Sequence, residues 1–301
     1  MNAIKKYYPI VLAMICWALS FVWVKIAYED FQPINLITFR VAGAALIFFI
    51  VGILLKKIQP IKAADLKYFL LMAFFEPFLY FMGESHGMKI VSSTYGAVII
   101  STIPLFTPIA SYYLLKERIK PTIFIGIIIS LSGIFIMEYN QGSGTAFSLK
   151  GTLLMLVAVI SATFFPIFLR KLTAHYTNTT ILAYQNLFGF LMFLPFFFVL
   201  DFNDTVHTTF HLRPLLALGG LTVFSSVFAF IFFTNSVKNI GVTLSNTFVN
   251  LIPVITAFLA FFILNESLTI QKTAGILVVI SGLFLSQIKF RGKHGRKAET
   301  A

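Results

Sequence analysis

The chain has the composition of a protein embedded in lipid. Of its 301 residues, 58% are hydrophobic and only 11% are charged, which leaves too few polar groups to cover the surface of a soluble fold. The formal net charge is +12, and the single cysteine, Cys16, excludes an internal disulfide and gives no basis for a metal cluster.

Ten apolar runs are long enough to cross a hydrocarbon core, which takes about 20 residues of helix. In chain order, their centres lie near Ala18, Leu46, Pro77, Ile103, Ile129, Val159, Phe190, Val227, Pro253 and Ile280. The length and continuity of these runs exclude strands. The first run has spanning length and no small-residue cleavage site, so it predicts a retained helix. The predicted fold class is therefore an all-α integral membrane protein with ten transmembrane helices.

Positive charges are concentrated on one side of the predicted membrane. If the N-terminus is cytoplasmic, most lysines and arginines fall in cytoplasmic loops or in a basic tail at 291–301. This bias follows the positive-inside rule and predicts that both termini are cytoplasmic. It also accounts for the net charge without nucleic acid as a partner. We expect a multi-pass protein of the cell (inner) membrane whose surroundings are the lipid bilayer.

The chain contains two copies of one unit. Six residues recur in the same order 149 positions later: Thr94, Pro104, Glu117, Gly126, Ser132 and Gly133 have the counterparts Thr243, Pro253, Glu266, Gly275, Ser281 and Gly282. Nearer the start of each copy, Lys25 corresponds to Arg170 and Arg40 to Gln185 at an offset of 145. The pattern predicts two five-helix repeats, at 1–140 and 141–290, followed by a basic cytoplasmic tail at 291–301.

Each copy holds an odd number of helices, so the second copy enters the membrane in the opposite sense to the first. The segment 138–150, with Gly142, Ser143 and Gly144, is the predicted link between the copies. Inverted repeats are typical of secondary transporters, whose substrate site lies near mid-depth where the repeats face each other.

The sequence lacks the motifs of an energy-coupling or intramembrane enzyme. It contains no GxxxxGK[ST] phosphate loop, no HExxH and no recognisable Ser, His and Asp set. We therefore expect no enzymatic activity, no cofactor and no metal. Transport would be driven by a gradient of the substrate, of a proton or of an exchanged solute.

The third predicted helix carries two acids inside its span. Glu76, Tyr80 and Glu84 stand at steps of four, which places them on one face of a regular helix, and Pro77 removes a backbone hydrogen bond beside Glu76. A charged acid near the bilayer centre costs about 2.5–3.5 kcal/mol on insertion scales. Glu76 is therefore a candidate for substrate binding or proton coupling, and the alternative is a neutral acid hydrogen-bonded between helices.

Arg40 and Glu84 lie at similar predicted depth and are a candidate pair. Three interpretations stay open: a structural salt bridge, an outer gate, and a clamp for a substrate carboxylate. Helices four and nine add polar residues at equivalent places, namely Asn246, Asn250 and Ser101, which predict a cavity lined from both copies. The alternative for these residues is interhelical hydrogen bonding.

Further cavity candidates are Trp17 in the first helix and Tyr184 and Gln185 in the seventh, because they place aromatic and amide groups within spans. Glu117 and Glu266 end helices four and nine. We expect these two carboxylates to cap neighbouring helix ends and not to touch substrate.

Together these residues resemble the EamA-type exporters of the drug/metabolite transporter superfamily. The resemblance rests on the doubled block from Pro to Glu with its following Gly and Ser-Gly, on Trp17 and on Arg40. It implies two inverted five-helix repeats, a central cavity formed by both, and export of amino acids or related metabolites. Glu76, Pro77 and Glu84 depart from the family pattern, which usually has small or aromatic residues there.

The leading functional interpretation is a metabolite exporter that works by alternating access. Its partner is a small-molecule substrate, an amino acid or related metabolite, and the sequence leaves open whether protons or a second copy of the chain also take part. The competing class is a non-transporting membrane scaffold, which would need no polar stripe in both halves.

Overall fold

The computed structural model describes residues 3–115, 121–138 and 148–287, which form ten helices and no strand. In chain order they are α1 (Ala3–Ala27), α2 (Pro33–Leu54), α3 (Ala63–Ile90), α4 (93–115), α5 (Pro121–Glu138), α6 (Leu149–Leu172), α7 (Asn178–His207), α8 (Leu212–Ile240), α9 (242–264) and α10 (Ile270–Gln287). Glu117, most of the predicted link at 138–150 and the tail at 291–301 lie outside the described residues.

Eight of these helices are long and apolar enough to cross a membrane, and the two others, α5 and α10, have shorter apolar stretches. The outward-facing side chains are themselves apolar: Val199 is 81% exposed and Leu54 75% exposed. Such a surface is stable against lipid tails and unstable in water. The chain is a multi-pass membrane protein, as predicted, and the residues that the structure describes form only helices and connecting loops.

The helices of the two halves, α1–α5 and α6–α10, pack in a reciprocal pattern. Helix α1 packs on α8 as α6 packs on α3, and α1 packs on α9 as α6 packs on α4. Helix α2 also packs on α8 as α7 packs on α3, and the pairings of α2 with α7, α4 with α9 and α5 with α10 join equivalent helices of the two halves. The interior is therefore built almost entirely from contacts between halves.

Helices α5 and α10 cross through glycines. A Cβ added at Gly133 would lie 2.8 Å from the carbonyl oxygen of Gly275, and one at Gly282 would lie 2.8 Å from that of Gly126. Only a residue without a side chain allows the backbones to approach so closely. Because Gly126 corresponds to Gly275 and Gly133 to Gly282, the two contacts exchange when the halves are exchanged.

Several helices are interrupted near mid-length. Helix α4 breaks at Ser101 and Thr102, and α9 tightens into a 3₁₀ turn at Phe248–Leu251. Each interruption lies just before one of the repeated prolines, Pro104 or Pro253. Helices α3 and α8 widen into π-type turns at Phe74–Leu79 and Leu221–Phe228. These interruptions release backbone groups that other helices must satisfy.

The break in α3 corrects one sequence-based assumption. The backbone of Glu76 is extended, with φ −140° and ψ 111°, and the Glu76–Pro77 peptide is cis. Glu76 therefore does not continue the regular helical face that carries Tyr80 and Glu84. The proline explains the difference, because it removes the amide donor that a regular helix would need at that point.

Candidate functional site

A cavity lies between the two halves, at the level of the helix breaks. Its walls come from α1, α2, α3 and α4 of the first half and from α6, α8 and α9 of the second. The lining residues are Trp17, Ser20, Phe21, Arg40, Glu76, Tyr80, Phe81, Glu84, Ile100, Ile103, Ala162, Phe165, Pro166, Phe230, Phe233, Asn246, Val249 and Ile252.

The cavity is narrow in this structure. Its volume, measured as the space open to the centre of a water molecule, is about 70 Å³. One water needs about 10–15 Å³ of such space, so the cavity admits a few waters. A solute of amino-acid size requires the helices around it to move apart.

Arg40 reaches the cavity from α2 and is 4% exposed. Its Nε donates a hydrogen bond of 2.7 Å to the hydroxyl of Ser226 in α8, and its guanidinium carbon lies 4.4 Å from the centre of the Phe81 ring. The terminal nitrogens of Arg40 have no hydrogen-bond acceptor in the part of the chain that the structure describes. They are available to a bound anion, for which a guanidinium is a strong donor.

Glu84 and Tyr80 form a buried pair in the same cavity. The Tyr80 hydroxyl donates to Glu84 Oε1 at 3.3 Å, while Oε2 is buried without a partner. Among the described residues, no salt bridge within 4.0 Å joins Glu84 to Arg40. In this structure the candidate pair therefore shares the cavity without direct contact.

Glu76 is 4% exposed and lines the cavity from the break in α3. No described side chain donates to its carboxylate. The backbone around it is held by the second half: Gln185 Nε2 donates to the carbonyl of Glu76 at 2.8 Å, and Ser161 Oγ donates to that of Phe75 at 2.5 Å. Gln185 thus supports the break and does not border the cavity.

The break in α8 is held in the same way by the first half. Trp17 Nε1 donates to the carbonyl of Ser225 at 3.3 Å, and Ser225 Oγ donates to the carbonyl of Cys16 at 3.0 Å. Ser225 and Ser226 lie 149 positions after Glu76 and Pro77. Sequence reasoning missed both serines, although the repeat offset applied to the Glu76–Pro77 pair would have pointed to them.

The other predicted lining residues divide into two groups. Asn246 borders the cavity and its Nδ2 donates to Thr107 Oγ1 at 3.3 Å. Ser101 donates to the carbonyl of Val98, Tyr184 packs against aromatic rings of α2 and α3, and Asn250 is buried with both side-chain polar atoms unpartnered. These last three residues do not border the cavity in this structure, and their contact with a substrate stays a prediction.

Of the aromatic walls, Trp17 was predicted from sequence, and the phenylalanines around it were not. Trp17 lies at ring-centroid distances of 5.4 Å from Phe230 and 5.0 Å from Phe233, and Phe165 packs on the same two rings. With 36 phenylalanines in the chain, no sequence pattern separates these few from the others. Their position gives the charged groups an apolar surround, which strengthens electrostatic interactions.

Glu266 caps a helix of the other half, as expected. Its carboxylate accepts hydrogen bonds from the backbone N–H groups of Ser93 at 2.7 Å and Thr94 at 3.2 Å, and from the Thr94 hydroxyl at 2.8 Å. These donors lie in the first turn of α4, where a carboxylate is stabilised by otherwise unpaired amides and the helix dipole. The contact ties the end of α9 to the start of α4.

At one end of the molecule, the α1–α2 loop meets the start of α8 through charged groups, which we call the ionic clasp. Asp30 accepts from the backbone N–H of His211 at 2.6 Å and lies 3.0 Å from its ring nitrogen, and Arg213 lies 3.0 Å from Glu29. The hydrogen bonds from the backbone and ring of His211 hold the pKa of Asp30 below its ordinary value.

At the other end, the α6–α7 loop meets the α2–α3 loop through uncharged groups, which we call the polar clasp. The backbone N–H of Thr177 donates to Gln59 Oε1 at 2.6 Å, and the Thr177 hydroxyl donates to the carbonyl of Lys57 at 2.8 Å. The two clasps join equivalent loops of the two halves with different chemistry.

Comparison with known proteins gives a consistent result. The profile of the EamA-like transporter family matches the chain twice, over residues 5–139 and 149–287. The chain is 30% identical over 230 residues to the uncharacterized transporter YetK of Bacillus subtilis (strain 168), a match that covers 75% of this chain and 69% of that protein. It is 28% identical over 299 residues to the uncharacterized transporter YcxC of the same organism, covering 96% of this chain and 95% of YcxC.

An uncharacterized transporter of Archaeoglobus fulgidus is 25% identical over 288 residues and covers 95% of this chain and 98% of its own length. A solved crystal structure superposes with a TM-score of 0.68 at 14% identity and covers 95% of this chain and 97% of its own, which supports the fold alone. The doubled family match spans both halves that form the cavity. The chain belongs to the EamA-like transporter family.

Proposed function

We propose that this protein is a secondary transporter that exports a small organic solute, an amino acid or a related metabolite, by alternating access through the cavity. The proposal includes ten membrane spans in two inverted five-helix repeats, with both termini in the cytoplasm. The reciprocal helix pairings and the reciprocal glycine contacts of α5 and α10 support the inversion. The concentration of basic residues in alternate loops supports the orientation.

One observation carries the proposal: the cavity holds an arginine and acids that form no salt bridge with one another among the described residues. Arg40 and Glu76 both line it, and neither makes a salt bridge within 4.0 Å among the described residues. A buried charge that lacks a protein partner is costly, so its retention is typical of a binding site. Arg40 fits a substrate carboxylate and Glu76 fits a substrate amine, while the aromatic walls fit an apolar body.

Alternating access requires that the cavity open to one side at a time. The interruptions in α3, α4, α8 and α9 surround the cavity and provide positions where helix halves can change angle. The two clasps close opposite ends of the molecule, and release of either one would widen the adjacent entrance. This arrangement fits rocking of one half against the other.

The test is solute flux through the purified protein in liposomes. Vesicles are loaded with a pool of amino acids and small metabolites, and loss of each compound is followed by mass spectrometry for the wild type, Glu76→Gln and Arg40→Gln. We expect selective loss of one or a few compounds in the wild type and a loss at least about tenfold slower in both variants.

Asp204→Asn is the matched control, because it makes the same change from carboxylate to amide at an exposed residue near the end of α7. Its flux should equal that of the wild type. If folded wild-type protein moved no compound beyond the rate of protein-free vesicles, the scaffold interpretation would replace the transporter.

A further inference from the structure

The charges that line the cavity do not balance. Three of its lining side chains are acids or strong bases: Arg40, Glu76 and Glu84, each at most 4% exposed. Arg40 comes from α2 and both acids come from α3, whereas α1, α4, α6, α8 and α9 contribute no acid, lysine, arginine or histidine to the lining. With every group ionised, the cavity would carry one net negative charge.

The other titratable groups near this cluster do not correct the imbalance. The ammonium of Lys25 in α1 donates to the carbonyl of Met88 and lies outside the cavity lining. The hydroxyl of Tyr80 is occupied as a donor to Glu84, and the hydroxyl of Tyr28 in the α1–α2 turn donates to the carbonyl of Ser85 at 2.6 Å. The ring of His86, also in α3, makes its contact with the carbonyl of Met82 at 2.9 Å. The neighbouring α7 presents the neutral amide of Gln185.

Elementary electrostatics then fixes the number of protons. Arginine keeps its charge inside proteins, so Arg40 can balance one carboxylate and only one. An unbalanced charge in an apolar enclosure is far more costly than a neutral carboxylic acid. Two acids within one site commonly share a single proton for this reason.

We propose that the empty cavity holds one proton, shared by Glu76 and Glu84, and that a solute with one net positive charge takes the place of that proton. This inference rests on the proposed function and narrows it. Monovalent organic amines are exchanged for protons one for one, while zwitterionic relatives cross without moving a proton. The exchange is electroneutral, because one positive charge leaves the cavity for each one that enters.

The aromatic rings that line the cavity together with the acids favour the same class of solute. Trp17, Phe230 and Phe233 form one wall, and aromatic faces attract ammonium groups in desolvated sites. An amine with an aromatic or aliphatic body would satisfy both the rings and the acid pair. A zwitterion would in addition place its own carboxylate on Arg40, which leaves the shared proton where it is.

The proton count can be measured without any substrate. Infrared spectra of the purified protein at neutral pH report the C=O stretch of protonated carboxyl groups, and difference spectra against variants isolate the cavity. We expect one such band in the wild type, none in Glu76→Gln or in Glu84→Gln, and two in Arg40→Gln. The band should be unchanged in Asp204→Asn.

If Glu76 and Glu84 were instead both protonated, independently of each other, the wild type would show two bands and each Glu→Gln variant one. That pattern would overturn the shared proton. A wild type without a band would overturn it as well. Thermal melting of each variant establishes that the spectra come from folded protein.

The exchange is tested in liposomes that contain a pH-sensitive dye. The probes are phenylalanine, which is a zwitterion, and 2-phenylethyl-trimethylammonium, which carries one fixed positive charge and no titratable proton. We expect the cation gradient to drive protons in the opposite direction at a ratio of one, and phenylalanine to move without a pH change. Cation flux without proton movement, or protons moving with both probes, would overturn the exchange.

The two failures are distinguishable. Flux of both probes without any proton movement leaves the proposed transporter in place and removes the exchange. Absence of flux for both probes, in protein whose spectra follow the predicted band pattern, leaves the shared proton in place and contradicts transport of this class of solute.

Discussion

The break in α3 and the break in α8 occupy equivalent positions and are held by equivalent neighbours, but only one of them carries charge. Gln185 of α7 donates to the carbonyl of Glu76, and its counterpart Arg40 of α2 donates to Ser226. Both contacts satisfy groups at an interrupted helix. The scaffold is therefore shared by the two halves, whereas the acids and the guanidinium that line the cavity all come from the first.

This difference separates the residues that build the cavity from those that give it chemistry. Three side chains each donate a hydrogen bond to a backbone carbonyl of the opposite half: Ser161, Gln185 and Ser225. Substituting any of them should change stability more than flux. In the first half, Arg40 takes the position that Gln185 has in the second, and Glu76 takes the position of Ser225. Arg40 and Glu76 add ionisable groups that form no salt bridge among the described residues. Substituting them should change flux most.

The largest effect is expected for Arg40→Gln. It removes the counter-charge of the one ionised acid in the cavity, which must then take up a proton. Removal of one partner from a buried set of opposite charges costs up to about 3–5 kcal/mol in folded proteins. We expect a lower Tm in detergent and flux below detection. Arg170→Gln makes the same change at an exposed residue of α6 and should leave both unchanged. Wild-type flux in Arg40→Gln would contradict the assignment of Arg40 to the cavity chemistry.

The comparison between the breaks is sharpest in the equivalent pair Glu76→Gln and Ser225→Ala. Glu76→Gln keeps the shape of the side chain and removes a buried acid, so we expect flux to fall at least about tenfold with little change in Tm. Ser225→Ala loses one hydrogen bond, worth about 1 kcal/mol, and should lower Tm while flux stays within about twofold. Equal flux losses in the two variants would show that the halves share the chemistry as well as the scaffold.

A smaller effect is expected for Gln185→Leu. It leaves the carbonyl of Glu76 without its donor in a buried place, which costs about 1–3 kcal/mol. Ser161 supports the adjacent carbonyl of Phe75, so the double variant with Ser161→Ala should be non-additive in Tm. Strict additivity would mean that the two bonds support the break independently.

The smallest effect concerns the ionic clasp and its dependence on pH. Because the pKa of Asp30 is lowered in the folded protein, its contribution to stability is present above the ordinary pKa of aspartate and is lost as pH falls through the lowered pKa. The Tm difference between wild type and Asp30→Asn should therefore shrink below a pH of about 4. Thr177→Ala in the uncharged polar clasp should show a Tm difference that does not vary over this range.

Much of the fold was accessible from the sequence, because the signals that define it are long and redundant. Continuous apolar runs identify helices, and two copies of the same spacing identify the repeat. The breaks were accessible only where proline marks them, at Pro77, Pro104 and Pro253. The break in α8 has no proline within it and follows from its packing against α1 and α2.

The site could be predicted from the sequence only where an ionisable residue lies inside a membrane span. Arg40, Glu76 and Glu84 stand out because a charge inside a span is costly. The partner of Arg40 was not accessible, since a serine hydroxyl in a helix has many possible uses. Asn250 shows a limit of helical spacing. The spacing predicts the same role for Asn250 as for Asn246, but the 3₁₀ turn at Phe248–Leu251 changes the periodicity between them, and only Asn246 borders the cavity in this structure.

The glycine crossing of α5 and α10 has the form of a contact in a symmetric dimer. Gly126 contacts Gly282, and Gly133 contacts Gly275. Because Gly126 and Gly275 are equivalent, as are Gly133 and Gly282, both halves use the same two positions in the contact. Such an isologous contact needs to arise only once in a half-length gene whose product pairs with itself. Fusion of two such copies would preserve the contact while leaving other positions free to differ, and in this chain the cavity-lining charges of α2 and α3 have no counterparts in α7 and α8.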